Sequence, residues 1–274
     1  MKIFKYFIAI FLCLIVLIPL MMTVTISLNP DNTDIMASMG SWKSFIPSHF
    51  SLDNFEKVWT DPYHPFGRYF FNTALITAVS LLLSLAVNSM AAFALAWGES
   101  RYKKMILGAI IAVLAIPVES LVLPQLLMVS RAGLIDTYLV QILPTIANAF
   151  FIFLFYQFFS KIPKDLIDAA KVDGFNLFKT FWHIGLPSAV PVSVTVAILH
   201  FLAIWNSYLW PIMVTRGTEV RPLSVAMSAY FSGNQTSWGN VMAFAVCMAI
   251  PVIIFFLIIQ RKFVASLTGS AVKG

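Results

Sequence analysis

Charge is what this sequence has least of: Asp, Glu, Lys and Arg together make up 11% of its 274 residues, less than half the usual share in a water-soluble domain. With 59% hydrophobic residues and a mean hydropathy of +0.86, too little polar material remains to cover a soluble fold, so the chain needs lipid as its solvent. Cysteine is scarce as well. Only Cys13 and Cys247 occur, both within apolar runs and without a CxxC or Cys/His cluster. Neither a zinc nor an iron–sulfur site is expected, and both residues read as small hydrophobes. The phosphate-binding pattern G-x-x-x-x-G-K-[ST] is absent, as is any candidate catalytic triad or metal cluster. The chain is therefore not expected to be an enzyme or to bind a cofactor itself. No internal repeat is evident either, which weakens one common architecture of secondary transporters.

What is present is a series of long apolar runs. Measured against the roughly 20 residues that cross a bilayer, they predict spans near Phe7–Ile26, Phe70–Trp97, Met105–Val129, Leu139–Phe159, Ser188–Val214 and Asn240–Gln260. Runs of this length can only be helices in lipid, because each backbone amide must be satisfied within its own segment. The expected fold is all-α: a polytopic transmembrane bundle of six spans, forming a single domain over 1–274 with its core at about 66–260. Lys2 and Lys5 ahead of the first run suggest a signal peptide, but the run is too long and no A-x-A-like site follows. It reads as an uncleaved helix.

Orientation follows from the basic residues. With the amino terminus in the cytoplasm, Lys2, Lys5, Arg101, Lys103, Lys104, Lys161, Lys164, Lys171, Lys179, Arg261, Lys262 and Lys273 lie inside, 12 of the 18 Lys and Arg. That bias places both termini in the cytoplasm and explains the net charge of +6 without nucleic acid. The first outer loop, about 27–67, is long enough to hold structure. Within it, Ser51–Trp59 predicts a short amphipathic helix capped by Ser51, with Leu52, Phe55 and Val58 on one face.

The cytoplasmic loop 161–187, KIPKDLIDAAKVDGFNLFKTFWHIGLP, differs from its flanks. Pro163 and Asp165 suit a helix start, Lys164 and Asp168 are an i,i+4 pair, and Ala169 and Ala170 add propensity without bulk. The helix should stop at Gly174. A second helix starts with Asn176 as its cap, and Leu177, Phe178, Phe181, Trp182 and Ile184 give it an apolar base against the bundle. The result is a helix–turn–helix bracket suited to docking another protein.

The stretch DAAKVDGFNLFKTFWHIGLP resembles the EAA motif of ABC importer permeases: E-A-A, two residues, D-G, then F-x-x-I-x-L-P. Here Asp168 replaces the usual Glu, which shortens the reach, and Phe175 replaces a commonly small residue. The segments IWNSYLWPIMVT (204–215), QRKFVASLTGSAVKG (260–274), PVESLVLP around Glu119 and GLIDTY (133–138) are similar to the maltose-type branch, which includes sugar and glycerol-phosphate importers. The resemblance implies that Asp168, Ala169, Ala170, Asp173 and Gly174 contact an ATPase subunit. It also implies a second homologous permease, two ATPase subunits carrying ATP and Mg, an extracytoplasmic solute-binding protein, and a place in a bacterial or archaeal inner membrane. The tail 261–274 would reach toward the ATPase subunits.

Several residues within the spans carry two readings. Glu119 lines a substrate path or meets the partner permease, or it is a snorkelling structural acid. Asn206, flanked by Trp205 and Trp210, suits a sugar through amide hydrogen bonds and ring stacking, yet such tryptophans also serve as interfacial anchors. His200, with no carboxylate near it in sequence, reads as a neutral histidine bonded to a carbonyl or a neighbouring helix rather than a proton relay. Pro117, Pro124, Pro144, Pro191, Pro211 and Pro251 lie within the spans, as transporters and channels tolerate. The alternative function is an ion- or proton-coupled secondary transporter, which would need coupling sites near mid-membrane.

Overall fold

A computed structural model describes residues 2–46, 48–231 and 237–271, and among these every regular element is helical. In chain order, with 3-10 turns at Trp42–Phe45 and Val118–Leu121 besides, they are α1 (Lys2–Ser27), α2 (Asn32–Ser38), α3 (Asp53–Thr60), α4 (Phe66–Trp97), α5 (Lys103–Val113), α6 (Val122–Arg131), α7 (Tyr138–Ile146) and α8 (Ala149–Phe159). Then come α9 (Lys164–Val172), α10 (Leu177–Thr180), a π-helical turn at Phe181–Gly185, α11 (Leu186–Ser188), α12 (Val190–Trp205), α13 (Leu209–Val214), α14 (Leu223–Phe231) and α15 (Trp238–Ala271).

Among the described residues, four stretches are long and apolar enough to cross a membrane: Phe4–Ser27, Phe66–Trp97, Tyr138–Phe159 and Trp238–Gln260. Of the other two expected spans, 105–129 is folded: Lys103–Val113 and Val118–Arg131 meet at 96°. The span 188–214 opens at a bend, where Leu177–Ser188 of the preceding loop meets Val190–Trp205 at 77°. Proline explains the first bend: Pro117, with ψ of 128°, leaves the helical region and has no N–H to continue the ladder. Glu119 consequently sits exposed in the 3-10 turn Val118–Leu121 at the bend, instead of deep within a continuous third helix. The predicted fifth span is also interrupted at its far end. There Asn206 caps α12, its Nδ2 donating to the Leu202 carbonyl at 2.9 Å, and α13 begins only at Leu209.

The chain divides into two compact units. One comprises Met1–Asn72 and Arg221–Ile254. The connection between α1 and α4 holds structure, as expected. Asp31 caps α2 by accepting from the amides of Thr33 and Asp34, and hydrogen bonds from Ser48 and Asn29 hold the Asp34 carboxyl below the usual carboxylate range. Ser51 accepts the Asp53 amide at 3.1 Å, but Leu52 occupies the N-cap of α3 and is 63% exposed. The expected apolar face is therefore rotated. Asn54 turns inward with Val58, one helical turn on, because its Nδ2 donates to the carbonyls of Ser27 (3.0 Å) and Asn29 (2.8 Å). Phe66 anchors this unit, 4.8 Å from the ring of Trp59 and edge-on to Phe244 at 4.9 Å.

The other unit comprises Thr73–Val220 and Phe255–Gly274. Here α4 buries a polar stripe, Thr73, Thr77, Ser80, Ser84 and Asn88, spaced so that all fall on one helical face. Ser80 Oγ lies 3.1 Å from Nε2 of the buried His200, so this histidine is bonded to a neighbouring helix, as read from the sequence. Asn88 mends a break. Between α7 and α8, Ala147 and Asn148 are extended, which orphans backbone groups in the middle of the apolar stretch Tyr138–Phe159. Asn88 Nδ2 donates to the Ile146 carbonyl at 2.8 Å, and its Oδ1 accepts the Asn148 amide at 2.9 Å. An aromatic core of Phe93, Phe151, Phe155, Phe159 and Phe181 fills the end of this unit nearest the loop 161–187.

Candidate functional site

The bracket read from loop 161–187 is present, and local chemistry accounts for it. Helix α9 starts after Pro163, with Asp165 in the first turn and Lys171 in the last, each complementing the helix dipole. Ile167 and Ala170 are buried, 3% and 4% exposed, while Asp168, Ala169 and Asp173 face outward. The stop is a Schellman motif: the Phe175 amide donates to the Ala170 carbonyl at 2.9 Å and the Gly174 amide to that of Lys171 at 3.0 Å. Such a closure requires a left-handed residue, and Gly174 has φ of +76°. Phe175, the departure from the motif, fits this turn, its ring 5.3 Å from that of His183.

Asn176 caps α10 as expected, its Oδ1 accepting the Lys179 amide at 2.8 Å. The apolar base is narrower than expected. Phe181 is buried, but Leu177, Phe178 and Trp182 are exposed and Ile184 half-buried. The apolar arc of this short segment, from Ile184 through Leu177 and Phe181 to Phe178 and Trp182, is wider than the strip that meets the core, and Lys179 and His183 take the opposite side. The expected Lys164–Asp168 pair is not among the ion pairs of the described residues. Lys171 Nζ instead reaches Glu99 Oε1 at 3.3 Å, an exposed contact that adds little stability. This pair edges a groove of 450 Å³ lined by Trp97, Lys171, Phe175 and Leu177.

The candidates for a substrate path are spread over other elements. Trp205 is buried and stacked on Phe201 at 5.3 Å, Trp210 Nε1 donates to the Val140 carbonyl at 2.9 Å, and the exposed Asn206 uses its amide to close α12. Sequence reading missed a latch at Asp136. Its amide donates to the Val214 carbonyl at 2.8 Å and its Oδ1 accepts the amides of Arg216 (3.0 Å) and Gly217 (3.4 Å), while Gln141 Nε2 donates to the Val220 carbonyl at 2.9 Å. The available signal was an Asp two residues after Gly-Leu: Asp136 has φ of +63°, a conformation Asp tolerates better than most residues.

Residues 88–269, which include the whole bracket, match the family of binding-protein-dependent transport system inner membrane components. The chain belongs to that family. As a permease subunit of an ABC importer, it is a multi-pass membrane protein rather than an enzyme. The permease is 32% identical to the arabinooligosaccharide transport permease AraQ of Halalkalibacterium halodurans, over 96% of this chain and 94% of that one. It is 33% identical to the melibiose/raffinose/stachyose import permease MelC of Bacillus subtilis, over 85% of both. It is 30% identical to the sn-glycerol-3-phosphate permease UgpE of Yersinia enterocolitica, over 83% of both. These relatives place the permease in the carbohydrate branch. Its fold is similar to a chain in the crystal structure of a bacterial ABC transporter that imports the acidic polysaccharide alginate, with a TM-score of 0.81 and 24% identity, covering 96% of this chain and 97% of that one.

Proposed function

We propose that this permease carries a sugar or sugar-like solute across the membrane, forming the path together with a second homologous permease. An extracytoplasmic binding protein delivers the solute, and two ATPase subunits, which hold the ATP and Mg, dock on the loop 161–187. One observation carries the reading: an exposed Asp168–Ala169 tip and a Gly174-closed turn stand over a buried aromatic core, which is the form a rigid docking bracket requires. Asp168, Ala169, Ala170, Asp173 and Gly174 make or shape that contact, Ala170 from the buried side. Glu119, Trp205, Asn206 and Trp210 border the path. The tail from Arg261, helical to Ala271, lies toward the ATPase subunits, and residues 272–274 are outside those described. Purified with its partners, the complex should hydrolyse ATP faster when the binding protein is loaded with an oligosaccharide. A panel of α- and β-linked oligosaccharides and glycerol phosphate that leaves hydrolysis unchanged would reject the sugar assignment.

In the same reading, the chain acts as one permease domain over 1–274, crosses the membrane six times in all, counting the bent pair over 103–131 as one crossing and the segment 188–214 as another with 177–186 left in the cytoplasm, and keeps both termini in the cytoplasm. The basic residues support this orientation. A cysteine at the exposed Ser41 should then react with an impermeant thiol reagent in intact cells, and one at the exposed Ser100 only after the cells are opened. The opposite pattern would invert the topology.

A further inference from the structure

The π-helical turn at Phe181–Gly185, the one such turn among the described residues, joins the docking bracket to the rest of its unit. The Leu186 amide donates to the Phe181 carbonyl, five residues back, so the helix carries an extra residue per turn here, a distortion that recurs at functional sites. Gly185 sits at the end of this turn, buried. A Cβ on it would lie 2.8 Å from Phe93 Cε2 and 2.9 Å from Phe93 Cδ2. The Phe93 ring has little room to retreat. It is 1% exposed, edge-on to Phe159 at 5.2 Å and 5.5 Å from Phe181. Phe159 is itself tied down, since Trp97 Nε1 donates to its carbonyl at 2.9 Å. The bare backbone of the bracket thus rests on a ring that α4 supplies and α8 braces.

We propose that Gly185 is a positioning residue for coupling: its missing side chain seats the α10–α11 segment directly on Phe93, so that displacement of the docked tip is passed to α4. This inference rests on the coupling role proposed for loop 161–187. A methyl group at position 185 would lift the bracket off the ring, or push the ring against Phe159, and the displacement would be lost between them.

The test is made on the assembled complex with its ATPase subunits and loaded binding protein. In Gly185→Ala, the ratio of ligand-stimulated to unstimulated hydrolysis should fall about tenfold, the scale of a lost coupling free energy, while the subunits co-purify in parental amounts. Phe93→Leu, which removes the ring edge without adding bulk, should lower the same ratio. Combining the two should restore part of what Gly185→Ala loses, because the shorter side chain makes room for the methyl group. A parental ratio in Gly185→Ala overturns the proposal. So does an equal fall of both rates together with complex yield, which would mark a purely structural role. If Gly185→Ala does not assemble, Phe93→Leu decides, and a parental ratio there overturns it. Gly174→Val separates this from a failure of the coupling reading: normal coupling in that variant rejects the role of the loop, whereas uncoupled Gly174→Val with normal Gly185→Ala rejects this inference alone.

Discussion

Replacing Gly174 with valine should uncouple ATP hydrolysis from solute movement while leaving the permease inserted in the membrane. Beyond the residue itself and its two chain neighbours, no atom lies within 4 Å of where a Cβ would stand at position 174, so the effect is conformational rather than a clash with packed side chains. At φ of +76°, an L-residue meets its own carbonyl, which costs about 1–2 kcal/mol and more for a β-branched side chain. The backbone relieves this strain by abandoning the Schellman closure, which frees the carbonyls of Ala170 and Lys171 and lets α9 swing relative to Asn176. Under the docking role proposed for this loop, a surface that swings would no longer report ATPase closure. The ratio of ligand-stimulated to unstimulated hydrolysis should fall at least about tenfold, with binding of the ATPase subunits weakened as well. Gly174→Asn should retain most of the parental ratio, because Asn is the usual second choice for a left-handed cap. If Val and Asn behave alike, the left-handed turn is not what couples the loop.

Asn88→Leu should be the most destabilising single change in the unit that carries the bracket. The substitution keeps volume but removes every hydrogen bond to the break between α7 and α8, leaving the Ile146 carbonyl and the Asn148 amide without partners. An orphaned buried group costs about 1–3 kcal/mol, and here there are two. Side-chain bonds between membrane helices average only about 0.6 kcal/mol, because unfolded spans also find partners. The larger figure should apply here, since the orphaned groups belong to the backbone at a helix break and keep no intrahelical alternative. Thermal unfolding in detergent should show a markedly lower midpoint, and less complex should be recovered. An unchanged midpoint would mean that water reaches the break and satisfies it.

These two positions differ in how visible they are from sequence. Gly174 announces itself: a helical pattern, a glycine and an Asn cap follow one another within a dozen residues, and each signal acts on its own neighbours. The helices α1, α4 and α15 are equally legible, since apolar length alone decides a membrane crossing. Hydropathy is blind to direction, however. The run 105–129 averages as apolar whether straight or folded at 96°, the run 188–214 does not disclose the 77° turn at its start, and proline indicates a defect without giving its angle. Contacts distant in sequence are hidden altogether. Asn88 lies about 60 residues from the break it mends, and nothing near Gly185 points to Phe93 on α4. Leu52 shows a subtler failure: apolar spacing favoured one face of α3, but one buried amide, Asn54, had two carbonyls to satisfy and set the rotation.

Because Asp136 and Gln141 hold the segment 214–220 at Val214, Arg216, Gly217 and Val220, that segment gives up its conformational freedom when the chain folds. Fixing the backbone of a residue costs about 1–2 kcal/mol, a term that a mobile loop would present to whatever lands on it. A partner or solute arriving at this segment would meet a surface that is already ordered. None of its contact energy is consumed in stiffening the segment, so a small, transient contact there can still be a specific one.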